Sequence, residues 1–338
     1  MKGRILALVL LGALLTGCAA PVKQAEKYQA TFMNLFDTVT TILGYADSQE
    51  AFEVQAQQIH DGLLHYHQLF DIYQDYEGLN NLKTVNDQAG IAPVKVDRAI
   101  IDLLLDCRAY YEATGGLVNV TMGSVLALWH DARAAWVDNP QAARLPEETA
   151  LKEAAEHSGF DTVVIDEEAS TVFLIDPDQR LDVGAIAKGW SVERVCREAP
   201  SGMLISVGGN VCATGPKPSG ESWVVGIQKP EGEGYLHTLN IQSGAVVTSG
   251  DYQRYFVVDG KPYHHIIDPD TLYPGRLWRS VTVVCPDSGL ADALSTALFL
   301  LPREEGQRIL NGYDAEAVWL DAEGKLLYSP GFEALIRT

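Results

Sequence analysis

Positive charge is scarce in this 338-residue chain: 25 Lys and Arg stand against 45 Asp and Glu, a net charge of −20. A nucleic-acid backbone is held by clustered Lys and Arg, so the composition argues against a nucleic-acid partner. Cysteine is scarce as well. The five cysteines are scattered and none falls in a C-x-x-C pattern, which speaks against a disulfide scaffold and a Cys-rich zinc site. Cys107, Cys196, Cys212 and Cys285 read as small buried apolar side chains, with a disulfide between some pair left open. Internal repeats and low-complexity blocks are missing. What remains is ordinary: 47% hydrophobic and 21% charged residues with 30 Gly and 15 Pro. That excludes a disordered or collagen-like chain. The length allows one large domain or two modest ones.

The N-terminus stands apart. Lys2 and Arg4 precede an almost continuous apolar run, Ile5 to Leu15, too short to span a bilayer permanently and suited to a secretory signal. It ends in Leu15-Thr16-Gly17-Cys18-Ala19-Ala20, which resembles the lipobox of bacterial lipoproteins. The resemblance implies a signal peptide over residues 1–17, a lipidated Cys18 and a polar, lipid-anchored tether over residues 18–30. The folded domain then occupies residues 31–338. Such a protein is held by acyl chains on the extracytoplasmic side of the cytoplasmic (inner) membrane.

In the body, Thr38–Tyr45 is rich in β-branched residues and predicts a strand. Phe52, Ile59, Leu63 and Phe70 fall on one face of a helix over residues 50–73. Asp97 is placed to cap a helix running to Tyr111, with Gly115-Gly116 stopping it. Residues 131–149 are polar and carry a proline, predicting a surface insertion. Strands are predicted at residues 162–165, 172–175, 203–207, 223–227, 236–241, 245–248, 255–258, 281–285 and 317–320, and helices at 187–198 and 290–301. Strands come in consecutive groups, so the expected fold class is α+β with antiparallel-rich sheets packed with helices, not a βαβ repeat.

Four segments could carry chemistry. Asp182-Val183-Gly184-Ala185-Ile186-Ala187-Lys188-Gly189-Trp190 leads into a helix N-terminus, which favours phosphate, although no Walker pattern is present. Ser206-Val207-Gly208-Gly209-Asn210 allows close backbone approach by a ligand or by a neighbouring strand. His264 and His265, if on a strand, face opposite sides, so one alone can point into a given site. Asp292 and Thr296, four apart in a strongly apolar helix, share a face. A carboxylate plus a hydroxyl suits Mg²⁺; the competing reading is that Asp292 caps first-turn amides.

Taken in order, DVGAIAKGW, SVGGNVCATGPKPSGESWVVGIQKP, TSGDYQRYF, YHHIIDP and ADALSTALF resemble the ApbE family of FAD:protein FMN transferases. Phe36-Asp37-Thr38, the stretch from Tyr73 to Asn86, and Gly116–Thr121 also fit. The likeness covers nearly the whole chain after the tether. It implies a T-fold-like, two-lobed architecture and an enzyme that splits FAD at its pyrophosphate. FMN passes to a Thr or Ser hydroxyl of an acceptor flavoprotein subunit and AMP leaves. Alternatives are an FAD pyrophosphatase giving FMN and AMP, or a non-catalytic FAD-binding lipoprotein.

The resemblance also implies roles. Mg²⁺ falls to the Ala185 carbonyl, Asp292 and Thr296. FAD contacts fall to Phe36, Tyr73, Leu117, Val118, Asn119, Asp182, Lys188, His265 and Ile267. His265 and Asp292 are the expected catalytic residues, His265 as the base with His264 as the alternative. Two departures stand out: many members have Met-Gly-Thr at Phe36-Asp37-Thr38 and Phe-Asp at Val118-Asn119.

Overall fold

The computed structural model describes residues 25–338. The expected signal peptide, Cys18 and residues 19–24 of the expected tether lie outside the described residues. The strands are β1 (Glu26–Leu35), β2 (Thr38–Ala46), β3 (Val94–Lys95), β4 (Val163–Asp166), β5 (Thr171–Leu174), β6 (Leu204–Val207), β7 (Asn210–Ala213), β8 (Trp223–Gln228), β9 (Tyr235–Ile241), β10 (Gly244–Gly250), β11 (Tyr255–Val258), β12 (Lys261–His264), β13 (Ser280–Cys285), β14 (Glu316–Leu320) and β15 (Leu326–Tyr328). The helices are α1 (Gln49–Phe70), α2 (Leu82–Asp87), α3 (Arg98–Ala113), α4 (Gly123–Asp138), α5 (Glu148–Glu156), α6 (Ala187–Glu198), α7 (Ser288–Leu300) and α8 (Arg303–Leu310).

An eight-stranded sheet in the order β1-β2-β6-β7-β10-β13-β14-β15 forms the frame. All its neighbours pair antiparallel, and it stays open at both edges. Side chains alternate across the pleat, and both faces are covered. On one face Val247, Val283 and Ala317 pack with Leu294 and Leu298 of α7, while Ile42, Ile205 and Val207 pack with α1 and α6. On the other face Leu204, Val246 and Val318 meet the β8–β9 hairpin through Trp223, Val225 and Leu239. Helix α7 is apolar nearly all round and accordingly buried. A three-stranded sheet, β3-β5-β4, builds a second core with α2 and α3. Helices α4 and α5 pack on β11 and β12 through Trp129, Phe256 and Leu151. This mixed architecture, helices on antiparallel sheets, is the α+β class expected.

Two tight hairpin turns meet at one end of the large sheet. Phe36 and Asp37 join β1 to β2 with φ of 51° and 52°, the type I′ geometry that strand twist favours. Gly208 and Gly209, at φ 54° and 96°, do the same between β6 and β7. A Cβ on Gly208 would stand 2.6 Å from the Thr38 hydroxyl oxygen. The glycine pair is thus used for close approach by a neighbouring strand.

Several sequence expectations need correction. Residues 26–30, expected in the tether, belong to β1 and pair with β2. Residues 131–138, expected in an insertion, continue α4, and α5 begins at Glu148. Asp292 does not cap its own helix; Asp287 does, accepting from the Leu290 amide at 2.8 Å. Asp97 caps α3 as expected. Cys107, Cys196, Cys212 and Cys285 are free and buried. Among the described residues no helix is long and apolar enough to cross a membrane.

Candidate active site

The contact between α6 and α7 is the tightest part of the site. A Cβ added at Gly189 would stand 2.4 Å from both Asp292 Cβ and the Ser288 carbonyl oxygen. No side chain fits there, so the Gly189 backbone lies directly against α7. Its amide donates to Asp292 Oδ2 at 2.8 Å. In a regular helix start that amide would serve the carbonyl four residues back, which is Ala185. The carboxylate has taken the amide, and no donor to the Ala185 carbonyl is found among the described residues. Asp292 therefore does act at a helix N-terminus, but that of α6, where the dipole favours an anion. Thr296 lies one turn further along α7. Between Ala291 and Leu300 it is the one residue not fully buried. A buried carboxylate, a hydroxyl and a released carbonyl make a hard oxygen set of the kind Mg²⁺ takes.

His264 and His265 are separated in environment as the alternation predicts. His264 is buried, with Nε2 2.6 Å from the Gly275 carbonyl oxygen and Nδ1 accepting from the Ile266 amide at 3.2 Å. It packs edge-on against Phe299 of α7. Both ring nitrogens are occupied, and burial pushes its pKa down to about 4. His264 thus has no lone pair to offer and serves as a structural joint. His265 is exposed at its ring edge. Its Nδ1 lies 3.2 Å from the Arg254 carbonyl oxygen, which also accepts the His265 amide. The carbonyl assigns the proton to Nδ1 and leaves the Nε2 lone pair free. Protein atoms crowd the ring at longer range, and this burial, followed by the charges of Lys188 and Arg254, lowers its pKa. The solvent-open edge limits the depression; the direction means a neutral ring at neutral pH.

Arg254 links this histidine to the first hairpin turn. Its guanidinium donates to the Phe36 carbonyl oxygen at 3.1 Å. The Phe36 amide is 3.4 Å from His67 Nδ1, and the two rings meet edge to face. A phenylalanine at positive φ is strained; here His67 and Arg254 hold its backbone on both sides.

A third group centres on His130, which shares a cleft with Arg254, His264 and His265. Asp182, almost fully buried, accepts the Gly184 amide on Oδ1 at 2.9 Å. His130 of α4 brings Nε2 to 3.8 Å from Asp182 Oδ2 and Nδ1 to 2.8 Å from the Tyr73 hydroxyl. Tyr73 is 63% exposed. Burial of its hydroxyl end, then the charges of Asp182 and Asp37, push its pKa up to about 12. Lys188 leans back onto the Gly184 carbonyl at 3.3 Å.

The remaining candidates are placed less directly. Leu117 packs at the rim of the α7 core. The Val118 side chain is buried in the core around α3, so only its backbone can meet a ligand. Asn119 Oδ1 accepts from the Thr121 amide and hydroxyl, at 2.9 and 2.6 Å, leaving its amide group free to turn outward. Ile267 is buried and bridges to Pro274. Sequence reasoning missed His130, Arg254, His67 and Gly189. The GAIAKG turn held the signal for Gly189; the other three carry none in isolation.

A carboxylate buried against a helix N-terminus and a histidine with a free ring nitrogen are groups that enzymes acting on phosphate esters or anhydrides use. The chain belongs to the ApbE family, whose sequence model matches residues 36–319. It is 34% identical over 277 residues to the FAD:protein FMN transferase of Treponema pallidum (strain Nichols), covering 76% of this chain and 75% of that protein. It is 33% identical over 276 residues to the FAD:protein FMN transferase of Klebsiella pneumoniae (strain 342), covering 78% and 83%. Among solved structures, the ApbE protein of Thermotoga maritima superposes with a TM-score of 0.82 at 30% identity, covering 93% of this chain and all of that one. The flavin transferase ApbE of Vibrio cholerae, at 23% identity and a TM-score of 0.74, shares the fold over 92% of this chain and 99% of its own.

Proposed function

We propose that this protein transfers the FMN moiety of FAD to a Thr or Ser hydroxyl of an acceptor flavoprotein subunit, releasing AMP, in a Mg²⁺-dependent reaction. The observation that supports the reading is the exchange at Gly189: its amide serves Asp292, one turn before Thr296 on α7, and no longer the Ala185 carbonyl. The Ala185 carbonyl, Asp292 and Thr296 would hold Mg²⁺, which supplies Lewis acidity to a phosphoryl oxygen.

The chain's own residues account for the rest. FAD brings concentrated negative charge to a strongly acidic protein, and Lys188 and Arg254 offset that repulsion beside His265. His265 Nε2 takes the proton of the acceptor hydroxyl as its oxygen bonds to the FMN-side phosphorus. The bond from that phosphorus to the bridging oxygen breaks, and AMP keeps the oxygen and its electron pair. A histidine held neutral before substrate arrives is ready to accept; the bound pyrophosphate then favours its protonated form. Asp182, Tyr73 and Phe36 line the cleft for the dinucleotide, with the Leu117–Asn119 backbone, Ile267 and the Asn119 amide at its margins. The exposed edge of His265 admits water as well as a hydroxyl, which favours FAD pyrophosphatase activity as the second reading.

The test is incubation of the soluble domain with FAD, Mg²⁺ and a candidate acceptor. Transfer gives an acceptor heavier by one FMN and an equal amount of AMP. AMP formed at the same rate without acceptor, and no covalent flavin with it, would establish hydrolysis instead. Anchoring through Cys18 on the extracytoplasmic side is part of the same proposal. It is supported by the lipobox-like sequence and tested by the mass of the mature N-terminal peptide.

A further inference from the structure

We propose that His130 is a positioning residue: it ties the Tyr73 hydroxyl to the Asp182 carboxylate across the cleft and so fixes Tyr73 as a wall for the planar ring of a dinucleotide. The three residues come from separate elements. Tyr73 follows α1, His130 sits in the middle of α4, and Asp182 precedes α6. Two of the three are anchored independently: the Tyr73 amide donates to Asp71 Oδ1 at 2.7 Å, and the Asp182 amide donates to the Val120 carbonyl at 2.8 Å. The Tyr73 side chain itself is not: the residue is 63% exposed. A single contact at its tip, 2.8 Å to His130 Nδ1, sets where it stands.

The chemistry fixes the direction of each bond. The Tyr73 hydroxyl stays protonated at neutral pH and donates to Nδ1. The proton of the neutral imidazole is then on Nε2, facing Asp182 Oδ2 at 3.8 Å. The second link is longer than a hydrogen bond, so the carboxylate orients the Nε2–H dipole at range and the gap is open to a bridging group. The imidazole is oriented from both sides, and its Nδ1 presents an acceptor at a fixed height. With only its hydroxyl held and the residue 63% exposed, Tyr73 has aromatic surface open to a ligand, on which a heteroaromatic ring stacks favourably. Either ring of FAD offers that chemistry, the isoalloxazine or the adenine. The inference rests on the transferase reading only for the choice of FAD as ligand.

The experiment is a flavin-fluorescence titration of the purified protein with FAD and FMN, a competition with AMP, and steady-state kinetics in parallel. His130→Ala is expected to weaken FAD about 3- to 10-fold, the worth of one hydrogen bond, and to raise KM more than it lowers kcat. Tyr73→Phe should cost a similar factor, and the double variant little more than either single one. His130→Asn, which keeps an acceptor near the Nδ1 position, should recover most of the loss, while His130→Leu should not. If FMN affinity falls and AMP affinity holds, the wall faces the isoalloxazine; the reverse result assigns it to adenine. A tyrosine difference spectrum between wild type and His130→Ala reports the lost bond with no substrate present. Unchanged FAD affinity in His130→Ala, losses that multiply in the double variant, or a wild type that binds none of the three ligands would overturn the inference. A wild type that binds FAD but transfers nothing would sink the transferase reading and leave this one standing.

Discussion

Two regions of the cleft solve the same problem by different means. At the α6–α7 contact, position is set by packing. Gly189 leaves no room for a side chain, Asp292 is buried, and a backbone amide holds its carboxylate. Around the cleft of His130 and His265, Tyr73, His130 and His265 are half-buried or exposed, and each is held by one or two hydrogen bonds. The first arrangement suits an ion, which tolerates little error in ligand placement and is repaid by rigidity. The second suits a large substrate that must enter, be acted on and leave. Substitutions should therefore fail in different ways: near the helix contact they should abolish the reaction or loosen the fold, and along the wall they should change rate or affinity while stability holds.

The sharpest break comes at Asp292. Asp292→Asn keeps an oxygen for the Gly189 amide but removes the charge that a divalent cation requires. Transfer should fall below detection at ordinary Mg²⁺, and the melting temperature should hold. Asp292→Ala adds a buried, unpaired amide, worth about 1–3 kcal/mol, so that variant should also melt lower. Normal turnover by Asp292→Asn would show that the oxygen set is not the metal site.

His265→Ala should lower kcat by about 10²–10⁴, the usual contribution of a general base, with FAD affinity within a few-fold of wild type and an unchanged melting temperature. An equal loss of affinity and rate would place the ring in binding rather than proton transfer.

His264 shows that sequence neighbours can belong to opposite regions. Its pKa is lowered in the folded protein to about 4, against 6.5 when unfolded. Between those values the unfolded chain holds more protons, so stability falls as pH drops from 6.5 toward 4, by about 3 kcal/mol in all. Urea unfolding at pH 7 and pH 4 measures it. His264→Gln, whose amide can still donate to the Gly275 carbonyl and does not titrate, should remove that part of the pH dependence. A slope unchanged in His264→Gln would assign the acid sensitivity to other groups.

What could be read in the sequence follows the same division. Asp292 and Thr296 announce themselves, because four-residue spacing in an apolar helix forces a carboxylate and a hydroxyl onto one face. The antiparallel class was legible from strands in runs, and α3 from its Asp97 cap. His130 was not legible. It lies at the edge of a segment whose charged residues, Asp131 and Arg133, suggested an insertion, and its meaning depends on a tyrosine 57 residues away. Arg254 is likewise defined by a carbonyl of Phe36, which no side-chain pattern reveals. Strand β1 was hidden differently: Tyr28, Ala30 and Phe32 alternate at only half-buried positions, a weak period-two signal beside a presumed tether. Packing-defined sites leave their mark in residue type and spacing. Sites built from lone hydrogen bonds between distant segments do not.

Gly189 tests the packing side of the comparison without touching any charge. Gly189→Ala would put a methyl group 2.4 Å from Asp292 Cβ and from the Ser288 carbonyl, a main-chain atom that cannot swing aside. The residue sits in a helix with ordinary backbone angles, where alanine is intrinsically favoured over glycine by up to about 1 kcal/mol. Overpacking costs about 1–3 kcal/mol, so the net change should be a modest loss of stability. Activity should fall further than stability does. Pushing α6 off α7 lengthens the Gly189–Asp292 bond and returns the amide to the Ala185 carbonyl, and the oxygen set loses its released member. Partial recovery at high Mg²⁺ would identify weakened metal binding as the cause. A variant with wild-type melting temperature and activity would mean the two helices can separate freely, and the contrast between a packed wall and an open one would have to be given up.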